Sequence, residues 1–117
     1  MSAQRLEEPS AVEFDAAVRL LKLLSDPTRL RVVWMLLHGE HSVAELAEHI
    51  NSRPAAVSQH LAKLRAADVV VVRRDGNRKF YRASSRHIEL LTAEALLQAD
   101  HFVSGGRHHA GEPAVSA

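Results

Sequence analysis

Residues 53–82 read RPAAVSQHLAKLRAADVVVVRRDGNRKFYR, and the spacing of their apolar residues changes once, near Asp68. Before it, Val57, Leu61 and Leu64 recur at intervals of four and three, which lines one face of a helix over about Arg53–Ala67. After it comes the β-branched run Val69–Arg74, and Arg78–Ala83 carries Phe80 and Tyr81. Asp75-Gly76 lies between these runs, and Asp-Gly between two β-rich segments is a strong short-range hairpin signal.

Upstream, Ser42-Val43-Ala44-Glu45 has the S-x-x-E form of a capping box. It opens a short helix whose apolar positions are Val43, Leu46, Ala47 and Ile50. Asn51-Ser52 breaks that helix and offers caps for the next. Earlier still, Asp26-Pro27 marks a helix start, with Asp accepting from free N–H groups and Pro in the first helical position. That helix runs through Leu30, Val33, Trp34 and Leu37 and stops at Gly39. Val12, Ala16, Leu20, Leu23 and Leu24 give a first helix over about Ala11–Leu24, and a last helix is expected from about Ser85 to Phe102. Residues 1–10 are expected to be a flexible N-terminus and 11–103 a single domain. Residues 104–117, with three Gly and one Pro, are expected to be a flexible, His-containing tail.

The 117 residues suit one compact domain. Aromatic residues are 4% of the chain, so the core must come from Leu, Val, Ile and Ala. Cysteine is absent, which excludes disulfides, thiolate metal sites and thiol redox sensing. No apolar run approaches membrane-span length and the first residues lack the apolar stretch of a signal peptide, so a cytoplasmic protein without membrane contact is expected. The net charge of +1 hides an uneven distribution. Residues 1–52 carry 5 basic and 8 acidic side chains, 53–82 carry 8 and 2, and 83–117 carry 2 and 4. A basic segment between acidic flanks fits a polyanion-binding face, and equally a solvated basic surface.

Two short helices, a tight turn and a hairpin compose a winged helix-turn-helix, a mostly α fold with one β-hairpin. Its second helix must bury one face and offer the other to a DNA major groove. Away from Val57, Leu61 and Leu64, that helix presents Arg53, Ala55, Ser58, Gln59, Ala62 and Lys63. Small residues permit close approach, Gln59 suits an adenine edge, and Arg53 and Lys63 suit phosphate or guanine. His60, nearer the buried face, reads as a packing or hydrogen-bonding residue. The hairpin adds Arg73, Arg74, Arg78, Lys79 and Arg82, suited to phosphates beside the groove, or to charge protection of an exposed hairpin.

With these segments in place, the chain resembles the ArsR/SmtB repressors. Leu24-Ser25-Asp26-Pro27-Thr28-Arg29-Leu30 is similar to that family's L-[AS]-[DA]-P-T-R-L signature. Val57–Leu64 is similar to its recognition helix, and Arg73-Arg74-Asp75-Gly76 followed by Phe80-Tyr81 to its wing. The resemblance covers roughly residues 11–103. It implies a homodimer built by the first and last helices, which holds operator DNA until a signal binds.

The family's Cys-x-Cys sensor stretch is here Glu45-Leu46-Ala47-Glu48-His49-Ile50, so thiolate sensing of arsenite, cadmium or lead is not expected. On the last helix, His87, Glu94, Gln98 and His101 form one polar stripe, beside an apolar stripe of Ile88, Leu91, Ala95, Ala99 and Phe102. Two such helices set antiparallel would bring His87 of one chain near His101 of the other. The D-x-H motif of the family's zinc sensors reads Ser85-Arg86-His87, and a position often held by His is Gln98, both departures from a zinc site. The combination is closer to the nickel/cobalt-sensing branch, and that resemblance implies the ligands His87, Asp100, His101, His108 and His109. Five nitrogen and oxygen donors suit Ni(II) or Co(II) better than tetrahedral Zn(II). The competing expectations are a zinc-responsive repressor, a winged-helix regulator that senses no metal, and a metal-buffering protein without specific DNA affinity. An enzyme is not expected, since no Gly-rich phosphate loop or Ser/His/Asp pattern is present.

Overall fold

The computed structural model describes residues 7–108, with side-chain surroundings through residue 105. The elements follow the order α1 (Ala11–Leu24), α2 (Pro27–Leu36), α3 (Val43–Ile50), α4 (Pro54–Ala66), β1 (Val70–Asp75), β2 (Arg78–Ala83) and α5 (Arg86–His108). This is the winged helix-turn-helix expected from the sequence.

The starts of these helices are set by local chemistry. Ser10 and Ser42 each close a reciprocal capping box, with Glu13 and Glu45 three residues on. Asp26 caps α2 by accepting from the Arg29 N–H, and Pro27 takes the first turn. The cap of α4 differs from expectation. Neither Asn51 nor Ser52 fills it: Asn51 ends α3 in the left-handed region at φ 56°, and Arg53 precedes Pro54 with no side-chain cap. The left-handed turn satisfies the end of α3, with Ser52 N–H donating to Ala47 O at 2.9 Å. Pro54 needs no cap for its own absent N–H.

The core joins Leu24, Val32, Val33 and Leu36 to Leu46, Ala47, Val57, Leu61 and Leu64, and to Val69, Val70, Tyr81, Ala83 and Ile88. Two expected faces turn out rotated. On α2 the buried residues are Val32, Val33 and Leu36, whereas Trp34 stays 40% exposed. On α5 only the Ile88 end of the predicted apolar stripe packs inward, together with fully buried Thr92. Ala95, Ala99 and Phe102 remain exposed. The helix also continues to His108, beyond the expected stop near Phe102. Glycine costs a helix about 1 kcal/mol relative to Ala, which weakens a turn without forbidding it, and Ser104 Oγ bonds Asp100 Oδ1 across that turn at 3.3 Å.

The hairpin is antiparallel, in register from Val70↔Ala83 to Asp75↔Arg78. Its two-residue turn is Gly76-Asn77, one position later than the Asp-Gly signal implies. Gly76 takes φ 65°, the positive value a type II′ turn needs first. His41 bridges Tyr81 on the free edge of β2, exchanging N–H···O bonds of 3.0 and 2.8 Å. The loop before α3 thereby becomes a one-residue third strand. No helix among the described residues is long and apolar enough to cross a membrane.

Candidate nucleic-acid interface and the α5 histidines

Leu46 and Ala47 hold α3 in the core, and Val57, Leu61 and Leu64 hold α4. The opposite side of α4 is left to solvent, with Ala55, Ser58, Gln59, Ala62 and Lys63 all exposed and Arg53 exposed at its cap. The alanines leave Gln59 room to approach a base edge, where an amide can both donate and accept.

A second anchor orients α4. Arg29 donates from Nε to Leu23 O at 2.6 Å, and its Nη1 lies 3.4 Å from His60 Nδ1. One side chain therefore ties the end of α1 and the start of α2 to the middle of α4. A guanidinium only donates, so His60 Nδ1 is the acceptor here. This is the hydrogen-bonding role expected of His60. Asp26, at the root of the same turn, has its carboxyl held below the ordinary value, first by the backbone hydrogen bond from Arg29.

The register divides the wing cations between two faces. Val70↔Ala83, Val72↔Tyr81 and Arg74↔Lys79 share one; Val71↔Arg82, Arg73↔Phe80 and Asp75↔Arg78 share the other. The first face is core at its base and ends in Arg74 opposite Lys79, two like charges that repel unless an anion lies between them. Lys79 and Arg78 also line a groove of about 390 Å³ with Ser58 of α4 and Ser42, Ala44 and Asn77. Wing tip, recognition helix and the start of α3 thus border one groove. Sequence reasoning did not single out Ser42, Ala44 or Asn77 for it, although the capping box and the turn position mark two of them.

The second face is occupied by protein. Arg73 Nε lies 3.1 and 3.0 Å from the two Glu40 carboxylate oxygens, and Nη2 lies 2.8 Å from Oε1. The Arg73 guanidinium passes 5.0 Å from the Phe80 ring centre, and that of Arg78 lies 4.9 Å from the same ring. The hydrogen-bonded pair holds the Glu40 carboxyl below its ordinary value and raises Arg73. Glu40 was not legible as a wing residue, being 33 positions from Arg73.

On α5, His87, Asp100 and His101 are all exposed. His87 and His101 stand 14 positions apart, roughly 21 Å along a helix at 1.5 Å per residue, so one protomer cannot bring both to one ion. Among the described residues no group of three or more His, Asp or Glu converges within the chain. Asp100 points away from the His87–His101 line and lines a cleft of about 350 Å³ with Trp34, Leu37, His38 and Leu97. His108 is the last residue of α5, and His109 lies outside the described residues. Around these histidines α5 exposes Leu90, Leu97, Phe102 and Val103, and α1 exposes Val12, Phe14, Val18 and Leu21. Phe102 is 70% exposed and Val12 74%.

Residues 24–73 match the family described as a helix-turn-helix domain. Over 93 residues the chain is 45% identical to the HTH-type transcriptional regulator KmtR of Mycobacterium tuberculosis, covering 79% of this chain and 72% of that one. Over 101 residues it is 34% identical to the transcriptional repressor SmtB of the same species, covering 86% and 67%. The chain belongs to the ArsR/SmtB family. The solved structure of HlyU from Vibrio cholerae superposes with a TM-score of 0.70 at 34% identity, covering 77% of this chain and 97% of that one. As an ArsR/SmtB protein it is a winged-helix transcriptional regulator and not an enzyme. Its helix-turn-helix match ends at Arg73, so the wing tip and α5 lie beyond that motif.

Proposed function

We propose that this ArsR/SmtB protein is a cytoplasmic repressor that holds operator DNA as a homodimer and releases it when Ni(II) or Co(II) binds at its α5 helices. One observation carries the reading: α1 and α5 expose rows of large apolar side chains, and α5 sets His87 and His101 beside them. Exposed apolar area of this kind marks an association surface. Antiparallel apposition of two α5 helices would place His87 of one protomer near His101 of its partner and bury Leu90, Leu97 and Phe102.

In that dimer the two α4 helices enter successive major grooves of a pseudo-palindrome about 34–36 Å apart. Gln59 and Ser58 read base edges, while Arg53, Lys63, Arg74, Arg78 and Lys79 supply the cationic border for phosphates, with Arg73 beside them held on Glu40. Across the α5 pair the donors are imidazole and carboxylate, with no thiolate in the chain. Such a set suits Ni(II) and Co(II), and His87, Asp100, His101, His108 and His109 would together exceed the four ligands of tetrahedral zinc. The metal supplies a cross-link between subunits; the chain converts it into a dimer geometry that no longer matches the groove spacing. Metal and DNA then oppose each other through one reciprocal coupling energy.

The test is a fluorescence-anisotropy titration on duplex DNA from upstream of the protein's own gene, with and without Ni(II), Co(II) or Zn(II). His87→Ala combined with His101→Ala is expected to keep operator binding and to lose metal-induced release. Release that survives the double change refutes the α5 site. Release by Zn(II) alone, with a tetrahedral cobalt spectrum, would replace the nickel/cobalt assignment by zinc. No stoichiometric metal uptake on dialysis would leave a regulator that senses something else.

A further inference from the structure

The wing carries one cation that is already spoken for. Arg73 starts on β1, crosses its cross-strand partner Phe80 on β2, and ends on Glu40 in the loop that bridges the far edge of β2 through His41↔Tyr81. Three adjacent backbone segments are thereby strapped by one side chain. The contact uses Nε and Nη2 against both carboxylate oxygens at 2.8–3.1 Å, the fork geometry that makes arginine–carboxylate pairs directional. Gly39, immediately before Glu40, takes φ 133°, so the loop reaches this position through a backbone conformation that side-chain-bearing residues rarely adopt. Arg78 closes on the same Phe80 ring. Beyond the strap, β1 and β2 pair with each other through Arg74↔Lys79 and Asp75↔Arg78 up to the turn. A two-stranded ribbon alone is marginal in water, so the angle of its tip depends on what fixes its base.

We propose that Glu40 is a positioning residue for DNA binding: by clasping Arg73 across Phe80 it sets the angle at which Arg74 and Lys79 meet the DNA backbone. This rests on the reading of α4 and the wing as the DNA interface and narrows the role of Arg73 within it. The clasp predicts an effect opposite in sign to simple electrostatics. Glu40 is an anion beside a DNA-binding wing, so removing its charge should strengthen DNA binding if charge alone counted. It should also free Arg73 for one more phosphate contact, steepening the salt slope by about 0.9.

The experiment measures operator affinity against salt concentration for the wild type, Glu40→Gln, Arg73→Met, the double variant, and Arg74→Ala, with thermal melts confirming that each is folded. The clasp predicts that Glu40→Gln weakens operator binding roughly two- to fivefold, the range of an exposed ion pair, with an unchanged salt slope. Arg73→Met should do the same, and the double variant should be no worse than either alone. Amide exchange at Tyr81 and His41 should quicken in all three. Equal or tighter binding by Glu40→Gln, or a steeper slope, overturns the clasp and makes Arg73 a direct phosphate ligand that Glu40 restrains. Arg74→Ala tests the wider reading separately. If wild type does not bind the operator, the interface assignment fails and the clasp with it; if wild type binds and Arg74→Ala weakens it, only the behaviour of Glu40→Gln decides.

Discussion

Arg29 and His60, 31 positions apart in sequence, meet at 3.4 Å between Nη1 and Nδ1 and couple the junction of α1 and α2 to the recognition helix. The same guanidinium donates to Leu23 O, and the Arg29 backbone N–H caps onto Asp26. The Asp-Pro-Thr-Arg run is therefore a joint in which Asp26, Pro27 and Arg29 each meet a separate demand: a cap, a fixed φ, and a long multidentate donor.

Replacing Arg29 by Met keeps most of its length and removes the donors. The carbonyl of Leu23 and Nδ1 of His60 lose their partner together. Hydrogen bonds from a charged group contribute about 1.5–3 kcal/mol, so Arg29→Met should lower unfolding stability by roughly that amount in urea titrations. Arg29→Lys should recover only part of it, since lysine lacks the fork.

Base reading and phosphate attraction should separate in a titration. Gln59→Ala is expected to cost about 1–3 kcal/mol against the cognate operator and little against unrelated duplexes. Lys79→Ala should weaken both alike and reduce the salt slope by about 0.9. Anisotropy at several salt concentrations on both DNAs checks the pair.

The motifs that announced the fold were those in which local chemistry decides the backbone. Ser42 with Glu45 and Asp26 with Pro27 act over three or four residues and stand where the spacing implied, and the β-branched run before Asp75-Gly76 announced the hairpin, with its turn one position later than that dipeptide implies. The mid-chain α4 face was legible for the same reason, since Val57, Leu61 and Leu64 repeat at the helical period. Features decided between distant segments were not. Trp34 looked like core by composition, but α2 rotates Val32 and Val33 inward and leaves the indole at a cleft edge beside α5. The five wing cations looked equivalent until register split them by face and Glu40 claimed Arg73. His87 and His101 were legible as a stripe, but convergence on an ion depends on a second chain, which no spacing within one chain can specify.

Acid should loosen the protein at three identifiable points. The Glu40, Glu45 and Asp26 carboxyls are all held below their ordinary values, first by hydrogen bonds from Arg73, from the Ser42 backbone and from the Arg29 backbone respectively. Groups depressed in the folded state add stability that is complete above the ordinary carboxylate values, 3.8 for Asp and 4.5 for Glu. That stability is lost as pH falls through the lowered ones. The share of thermal stability that these three carboxyls supply should therefore be level from neutral pH to about pH 5 and decline below that. Glu45→Gln should flatten the acid limb, because Gln keeps the capping geometry without titrating.

Thr92 sits fully buried on α5, and its hydroxyl finds no partner among the described residues. A buried, unpaired hydroxyl costs about 1–3 kcal/mol by mutational measures. Thr92→Val keeps the branched shape and removes that oxygen, so it should raise the urea midpoint, by about 1 kcal/mol of stability, with operator affinity unchanged. A loss of stability would mean that the hydroxyl is satisfied in solution.

The claim on which the rest stands is that α4 and the wing recognise a DNA sequence in duplicate, held by paired α1 and α5 helices. The most direct measurement is a stoichiometric titration of the purified chain on operator DNA at physiological salt, with an excess of unrelated duplex. The expected result is saturation at two chains per site, with affinity at least about 10³-fold above that for the competitor. Saturation at one chain per site, or equal affinity for both DNAs, would contradict it.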